Sequence, residues 1–171
     1  MCYNNVGDNM YGYIIGKIDL VETNYIIIDN NEIGYLVYVA NPYSYQIGNI
    51  EKVYIYEQVR EDEHTLYGFK SLEEKDLFLR LIGVKGLGPK MAIPMFATGS
   101  IDGIIDAIER ENVLYLKKFP KIGDKVARQI ILDLKGKLAK TDNIVIKNEE
   151  LTETLKALGY KQIDINKYYL I

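Results

Sequence analysis

The chain alternates between apolar and polar residues up to about position 70, and beyond that point its apolar residues recur every three or four positions. Alternation with a period of two is typical of strands, whereas a period of about 3.6 is typical of amphipathic helices. Ile, Val and Tyr are concentrated in residues 11–18, 24–28, 33–39, 53–59 and 65–69, with turn-forming residues between these segments. Five short strands in about 60 residues, followed by a helix, predict a small closed barrel such as the OB fold.

Helix signals begin directly after Phe69. Ser71 is a suitable N-cap, because Glu73 and Glu74 then lie in the first turn, where the helix dipole favours negative charge. The apolar spacing predicts further helices over residues 91–97, 101–111, 113–118 and 125–138, and a last one from 148 to 158. Ser100 is the predicted N-cap of the helix at 101–111. The pattern therefore predicts a mixed α+β protein with a short C-terminal helical domain. Its predicted parts are an extension at 1–9, a barrel at 10–70, a helical domain at 71–138, a linker at 139–147 and a truncated helical end at 148–171.

Five tyrosines on the predicted strands allow two interpretations. They form either a platform on which the bases of a single strand stack, or ordinary packing contacts of the sheet. Packing is the more frequent role of such residues, and single-strand binding stays open as an alternative function. The residues are Tyr25, Tyr35, Tyr38, Tyr54 and Tyr56.

Composition narrows the class of protein. Apolar residues make up 48% of the chain and charged residues 26%, which is the profile of a globular protein. No apolar run reaches the roughly 18 residues of a membrane span, and residues 1–9 lack the features of a signal peptide. We therefore expect a cytoplasmic protein without a membrane segment. Cys2 is the only cysteine and His64 the only histidine, so neither a disulfide framework nor a zinc site is expected, and no cofactor is predicted.

The net charge of −3 conceals a segregation of charge along the chain. Residues 1–80 contain 6 Lys and Arg against 13 Asp and Glu, and residues 81–140 contain 11 against 6. The remaining residues, 141–171, contain 4 against 5. A middle segment of net charge +5 in an otherwise acidic chain indicates a surface for a polyanion.

The basic segment contains an internal repeat with an offset of 35 residues, in which 81–92 align with 116–127. Both copies predict a helix, a tight turn and a second helix. The aligned positions are Leu81 with Leu116, Leu87 with Ile122, Gly88 with Gly123, Lys90 with Lys125, and Ala92 with Ala127.

This arrangement is that of the helix-hairpin-helix motif, which holds the sugar-phosphate backbone. The apolar turn residue fixes the angle between the helices, and the glycine after it lets a phosphate approach the backbone closely. Unpaired N–H groups at the start of the second helix then point at that phosphate, and the nearby lysine adds positive charge. Such a site positions nucleic acid without reading its bases. The predicted DNA-binding residues are Lys85, Gly86, Gly88, Lys90, Lys121, Gly123, Lys125 and Arg128.

Two features depart from the motif. Lys121 stands where the first glycine of the second turn belongs, so its side chain either narrows the approach or offers a replacement cation. Pro94 lies inside the helix after the first turn, where it removes a backbone hydrogen bond and is expected to kink the helix.

Other functions must be weighed against backbone binding. A nucleotide-binding loop is excluded. The Walker pattern requires Lys and then Ser or Thr directly after its last glycine, whereas Gly88 of this chain is followed by Pro89 and Lys90. A DNA repair enzyme or nuclease accessory using the same hairpins is the main alternative, and it would need an acidic metal site. Asp102, Asp106 and Glu109 are the only candidates at helical spacing, and they are more typical of a solvated helix face.

The order of these elements resembles the RuvA family over about residues 10–160. The resemblance depends on Arg60-Glu61-Asp62, on Leu66-Tyr67-Gly68-Phe69, and on Gly86-Leu87-Gly88-Pro89-Lys90 in this order and spacing. It implies a non-catalytic subunit that holds four-way (Holliday) junction DNA open during recombination and repair, while a RuvB-like ATPase drives branch migration. It also implies a homotetramer, with an octamer on DNA as the alternative, and a junction resolvase as a further partner.

The resemblance assigns roles to two further groups of residues. Glu61 and Asp62 correspond to the acidic pin of the family, where negative charge near the junction centre repels misplaced strands. The short C-terminal domain corresponds to a three-helix module that docks on the ATPase, although no residues remain here for a third helix. The residues that match its first helix and are expected to contact the partner are Leu151, Leu155, Leu158 and Tyr160.

Overall fold

A computed structural model describes residues 10–61 and 63–138 of the chain. Five strands form a closed barrel in the order β1-β2-β3-β5-β4. Strand β3 pairs with β5 in parallel, and antiparallel pairing of β1 with β4 completes the barrel, which confirms the predicted OB-like architecture. The strands are β1 (Tyr13–Val21), β2 (Tyr25–Asn30), β3 (Ile33–Val39), β4 (Ile50–Val59) and β5 (His64–Phe69).

Alternation along the strands fills the barrel interior. In β1, for example, Ile14, Gly16 and Ile18 are buried, whereas Ile15 and Lys17 between them are exposed. Gly68 of β5 also faces the interior, where an added Cβ would lie 2.6 Å from Val37 and 2.7 Å from Val53. The glycine of the Leu-Tyr-Gly-Phe segment is therefore required by packing. The buried core contains Ile14, Ile18, Ile26, Ile28, Val37, Val39, Tyr45, Val53 and Ile55.

Between the barrel and residue 138, the structure describes five helices. They are α1 (Leu72–Ile82), α2 (Pro89–Thr98), α3 (Ile101–Glu109), α4 (Val113–Leu116) and α5 (Asp124–Leu134). The predicted caps are confirmed: the Ser71 hydroxyl accepts from the Glu74 N–H, and the Ser100 hydroxyl accepts from the Gly103 N–H. The prediction that the last of these helices continues to residue 138 was wrong. It ends at Leu134, because Lys135 adopts an extended ψ of 133° and Gly136 has a φ of +73°.

Aromatic side chains join the barrel to α1. The Phe78 ring of α1 lies 4.7 Å from that of Phe69 and 5.3 Å from that of Tyr56, measured between centroids. Tyr38 and Tyr56 each contact Tyr67 as well. These contacts favour the packing interpretation of the strand tyrosines over a platform for unpaired bases.

The chain divides into two compact units, one ending at Lys135 and the other beginning at Gly136. No single helix in the described part of the chain is long and apolar enough to cross a membrane. Helices α2 and α3 pass that test only as a pair bent by 108°, and each supplies buried side chains, such as Met95 and Ile104, to the core of the first unit.

Candidate nucleic-acid interface

The two repeats fold into turns of the same backbone geometry. Gly86 has a φ of +90°, and Lys121, at the aligned position, has a φ of +64°. The following residues, Leu87 and Ile122, are 2% and 5% exposed and so fill the space between the helices, as the sequence predicts. Each donates its N–H to the carbonyl three residues earlier, over 3.1 Å and 3.2 Å. The second turn thus reproduces the first although a lysine replaces its glycine.

Gly88 and Gly123 are the N-caps of α2 and α5. Their backbone angles are nearly identical, with φ of −99° and −89° and ψ of 171° and 177°. Neither helix start donates a backbone N–H to a capping side chain. A Cβ added at either glycine would meet no atom within 4 Å. Both helix starts therefore expose their backbone to open space, which is the condition for close approach of a phosphate.

The alanines of the repeat lie where the paired helices meet. Ala92 and Ala127 are fully buried, so their small side chains let the second helix of each hairpin pack closely. Pro94 is retained inside α2, and the Thr98 hydroxyl donates to its carbonyl at 3.4 Å. The expected kink at Pro94 stays a prediction.

The predicted cations differ in their surroundings. Lys85, Lys121 and Lys125 are exposed and form no ion pair with another described residue. Lys90 contacts Glu63, with 2.8 Å between its Nζ and the nearer carboxylate oxygen. Arg128 contacts Asp124 at 2.8 Å.

Asp124 is an acidic group that sequence reasoning left out of the site. It lies in the first turn of α5 and binds both Arg128 and Lys117, the latter at 3.2 Å. Hydrogen bonds from Arg128 and then Lys117 lower the pKa of the Asp124 carboxyl, and the same carboxylate raises the pKa of Arg128. This cluster neutralises part of the positive charge beside the second turn while the Lys125 ammonium remains exposed.

The acidic segment forms the end of the β4–β5 hairpin. Strand pairing reaches Val59 and His64, and the Arg60 N–H donates to the Glu63 carbonyl at 2.8 Å. Glu61 is exposed beyond this pair. Asp62, the other predicted pin residue, lies outside the described residues, as do the predicted docking residues Leu151, Leu155, Leu158 and Tyr160.

The base of the same hairpin contains a buried carboxylate that the sequence did not single out. Glu57 is 7% exposed, and it accepts from the Met10 N–H at 2.8 Å and contacts the His64 imidazole at 2.5 Å. These contacts tie the first described residue to the hairpin. His64 thus has a structural contact at the strand surface.

The acidic candidates of α3 do not converge on a metal site. Asp106 pairs with Arg110 of the same helical face at 2.7 Å. Across residues 10–61 and 63–138, no group of three or more His, Cys, Asp and Glu is arranged to hold a metal ion.

A closed five-stranded barrel followed by two helix-hairpin-helix turns defines a DNA-binding protein. The family model of the RuvA N-terminal domain matches residues 10–68, and that of the SAM-like helix-hairpin-helix tandem matches residues 78–136. The chain is 46% identical to the Holliday junction branch migration complex subunit RuvA of Pediococcus pentosaceus, over 92% of this chain and 86% of the relative. It is 44% identical to the protein of that name from Streptococcus pneumoniae serotype 19F, over 92% and 87%. The chain belongs to the RuvA family.

Proposed function

We propose that this protein is the non-catalytic subunit of a branch-migration complex and that it binds four-way junction DNA through the sugar-phosphate backbone. The observation on which the proposal depends is the pair of open helix starts at Gly88 and Gly123. Their backbone angles match, and neither has a side chain in the space before the helix. The names of the relatives, which are Holliday junction branch migration complex subunits, specify the junction and the complex.

Each helix start attracts phosphate by two effects. The helix dipole places about half a positive charge at its N-terminus, and N–H groups of the first turn have no carbonyl four residues earlier in the helix. In α2 fewer of these donors are open, because Pro89 has no N–H and the Met91 N–H donates to the Gly88 carbonyl at 2.9 Å. Lys90 and Lys125 each stand two residues beyond the capping glycine and add an ammonium group. Because phosphates carry no sequence information, the protein selects DNA by shape, namely by the branch, and leaves the base sequence unread.

The acidic hairpin tip supplies the second element of junction selection. We infer that Glu61 and Asp62 from four copies of the chain meet at the centre of a homotetramer, where they repel strands that enter wrongly. A RuvB-like ATPase then supplies the energy for migration, with the short domain at 148–171 as its contact through Leu151, Leu155, Leu158 and Tyr160. The domain divisions at residues 70 and 138, the octamer on DNA, the resolvase partner and the cytoplasmic location belong to the same proposal.

A competition binding experiment tests the proposal. The protein is titrated into a labelled four-way junction in the presence of unlabelled junction, linear duplex or single strand of the same length. We expect the junction to compete far better than the other two. Over a salt series the slope of log K against log salt should be about −5 to −9, if roughly six to ten phosphates are neutralised. Equal competition by junction and duplex would refute junction selectivity, and preference for the single strand would favour an OB-type binder.

The same material tests the nuclease alternative. Junction DNA incubated with the protein and Mg²⁺ should remain intact, because the proposal gives the chain no reaction of its own. Magnesium-dependent cleavage would mean that the protein is an enzyme and not a non-catalytic scaffold. The acidic residues of α3 would then be the first to mutate.

A further inference from the structure

The two repeats differ in the partner of their shared lysine. The Lys90 ammonium, in the first hairpin, binds both carboxylate oxygens of Glu63, at 2.8 Å and 3.1 Å. Lys125, at the aligned position of the second hairpin, forms no ion pair with another described residue. Glu63 comes from the barrel, directly after the acidic tip at 61–62, so the pair links the acidic hairpin to the first DNA-binding turn.

The Glu63 carboxylate is held in place from two sides. The Thr65 hydroxyl donates to its Oε1 at 3.1 Å while Lys90 binds the same oxygen. Hydrogen bonds from Lys90 and then from Thr65 lower the pKa of Glu63, so the carboxylate is charged at neutral pH. The Glu63 side chain is 31% exposed and that of Lys90 is 69% exposed. The lysine is therefore open to solvent on the side that the carboxylate does not cover.

A carboxylate bound in this way offers Lys90 what a phosphate would offer it, namely two anionic oxygens at hydrogen-bond distance. We propose that Glu63 is an intramolecular competitor of DNA phosphate for Lys90, and that the first hairpin engages its strand fully only after this carboxylate is displaced. The inference rests on the proposed function, because it takes the first hairpin as a phosphate site. It adds a residue that tunes the affinity of that site and distinguishes it from the second hairpin.

The exchange has a consequence for the acidic tip. When phosphate takes over Lys90, the Glu63 carboxylate loses its counter-charge and adds its negative charge to that of the exposed Glu61 nearby in the chain. Binding of an arm at the first hairpin thus increases the negative charge presented by the tip. The two elements of the proposed junction site are coupled by one ion pair.

The test is a double-mutant cycle on the full chain with Glu63→Gln and Lys90→Ala, read out as affinity and salt slope on linear duplex and on a four-way junction. Glutamine keeps the size and the hydrogen-bonding oxygen but removes the charge. We expect Glu63→Gln alone to raise affinity about two- to fivefold on both substrates, which is the range an exposed ion pair is worth. The salt slope should become more negative by up to about 0.9 per bound subunit, because no freed carboxylate takes up a cation on binding.

In the Lys90→Ala background the same substitution should have no effect on affinity. A matched control is Glu111→Gln, which removes a carboxylate from the ion pair with Lys135, away from both turns, and should leave affinity and slope unchanged. Thermal melts of every variant establish that the fold is retained.

Two results would overturn the inference. If the affinity of Glu63→Gln for DNA is unchanged or lower, Glu63 either positions Lys90 or has no role in binding. If the gain in affinity is equal with and without Lys90, Glu63 acts only by general repulsion of the DNA charge. Loss of junction preference in the unmodified protein would instead overturn the proposed function. The Glu63 comparison would still be decided on linear duplex in that case, so the two failures are distinguishable.

Discussion

Gly86 and Lys121 occupy the same position in the two repeated turns, and both have a left-handed backbone conformation, with φ of +90° and +64°. A lysine in this conformation costs roughly 1–2 kcal/mol relative to ordinary backbone, because its Cβ crowds the following carbonyl. The buried Ile122 next to it and the bond from its N–H to the Phe119 carbonyl keep the turn in shape regardless. The second hairpin therefore keeps the geometry of the first and gains an exposed cation at its turn.

The first prediction separates backbone conformation from side-chain space in the first turn. Gly86→Ala and Gly88→Ala both add a methyl group that meets no atom within 4 Å. Only Gly86 has a positive φ. Gly86→Ala should thus lower the free energy of unfolding by about 1 kcal/mol, and Gly88→Ala should change it by less than about 0.5 kcal/mol. Urea denaturation checks this, and equal losses would contradict the assigned conformations.

The second prediction concerns the approach of phosphate to the helix starts. Gly88→Ala and Gly123→Ala place a methyl group in the open space before α2 and α5 without straining the backbone. Affinity for DNA should fall about tenfold per turn, as expected when a charged hydrogen bond to backbone N–H is lost. Fluorescence anisotropy with labelled junction measures it. If affinity is retained in the folded double variant, these glycines do not contact DNA.

The third prediction concerns the aligned lysines. Lys90→Ala combined with Lys125→Ala should weaken binding to junction, duplex and single strand alike, because under the proposed function both lysines contact phosphate and no base. The salt slope should become less negative by about 1 to 2 per bound subunit. Gel-shift titrations over a salt series provide both numbers. A slope equal to that of the unmodified protein would remove these lysines from the interface.

The fourth prediction concerns the acidic tip. Replacing Glu61 by Gln and Asp62 by Asn should leave junction affinity intact or raise it, because the carboxylates act by repulsion. Discrimination against linear duplex, or the rate of migration with the partner ATPase, should change instead. Competition gels and a strand-exchange assay measure these effects. A large loss of junction affinity would mean that these carboxylates contribute favourable contacts to the DNA and do not act by repulsion.

The fifth prediction tests why glycine stands at position 68. An alanine methyl group would lie within 3.0 Å of Val37, Val39 and Val53 inside the barrel. Overpacking of this kind costs about 1–3 kcal/mol, so Gly68→Ala should lower the unfolding free energy by that amount. Gly12→Ala is a suitable control, because its Cβ would meet nothing within 4 Å. Similar stability of the two variants would contradict the close contact.

Local sequence was sufficient for the elements and for the turns. The period of two and its turn residues predicted five strands, and Ser71 and Ser100 fixed two helix starts, because these signals depend on neighbours only a few positions away. The 35-residue repeat likewise predicted both hairpins. Burial of their apolar turn residues, Leu87 and Ile122, is confirmed. The end of α5 was misplaced, because an apolar residue at 138 continued the helical spacing beyond the last hydrogen-bonded turn at Leu134.

Pairings between distant residues were decided by the tertiary structure alone. Strand β3 pairs in parallel with β5, and the Glu63–Lys90 pair joins positions 27 residues apart, which no periodicity connects. The same holds for Lys121, whose left-handed backbone is imposed by the turn around it. Local chemistry in the sequence determined the repeated backbone geometry of the two turns. Folding decided which of its charges are already paired, because charge pairing depends on proximity in space.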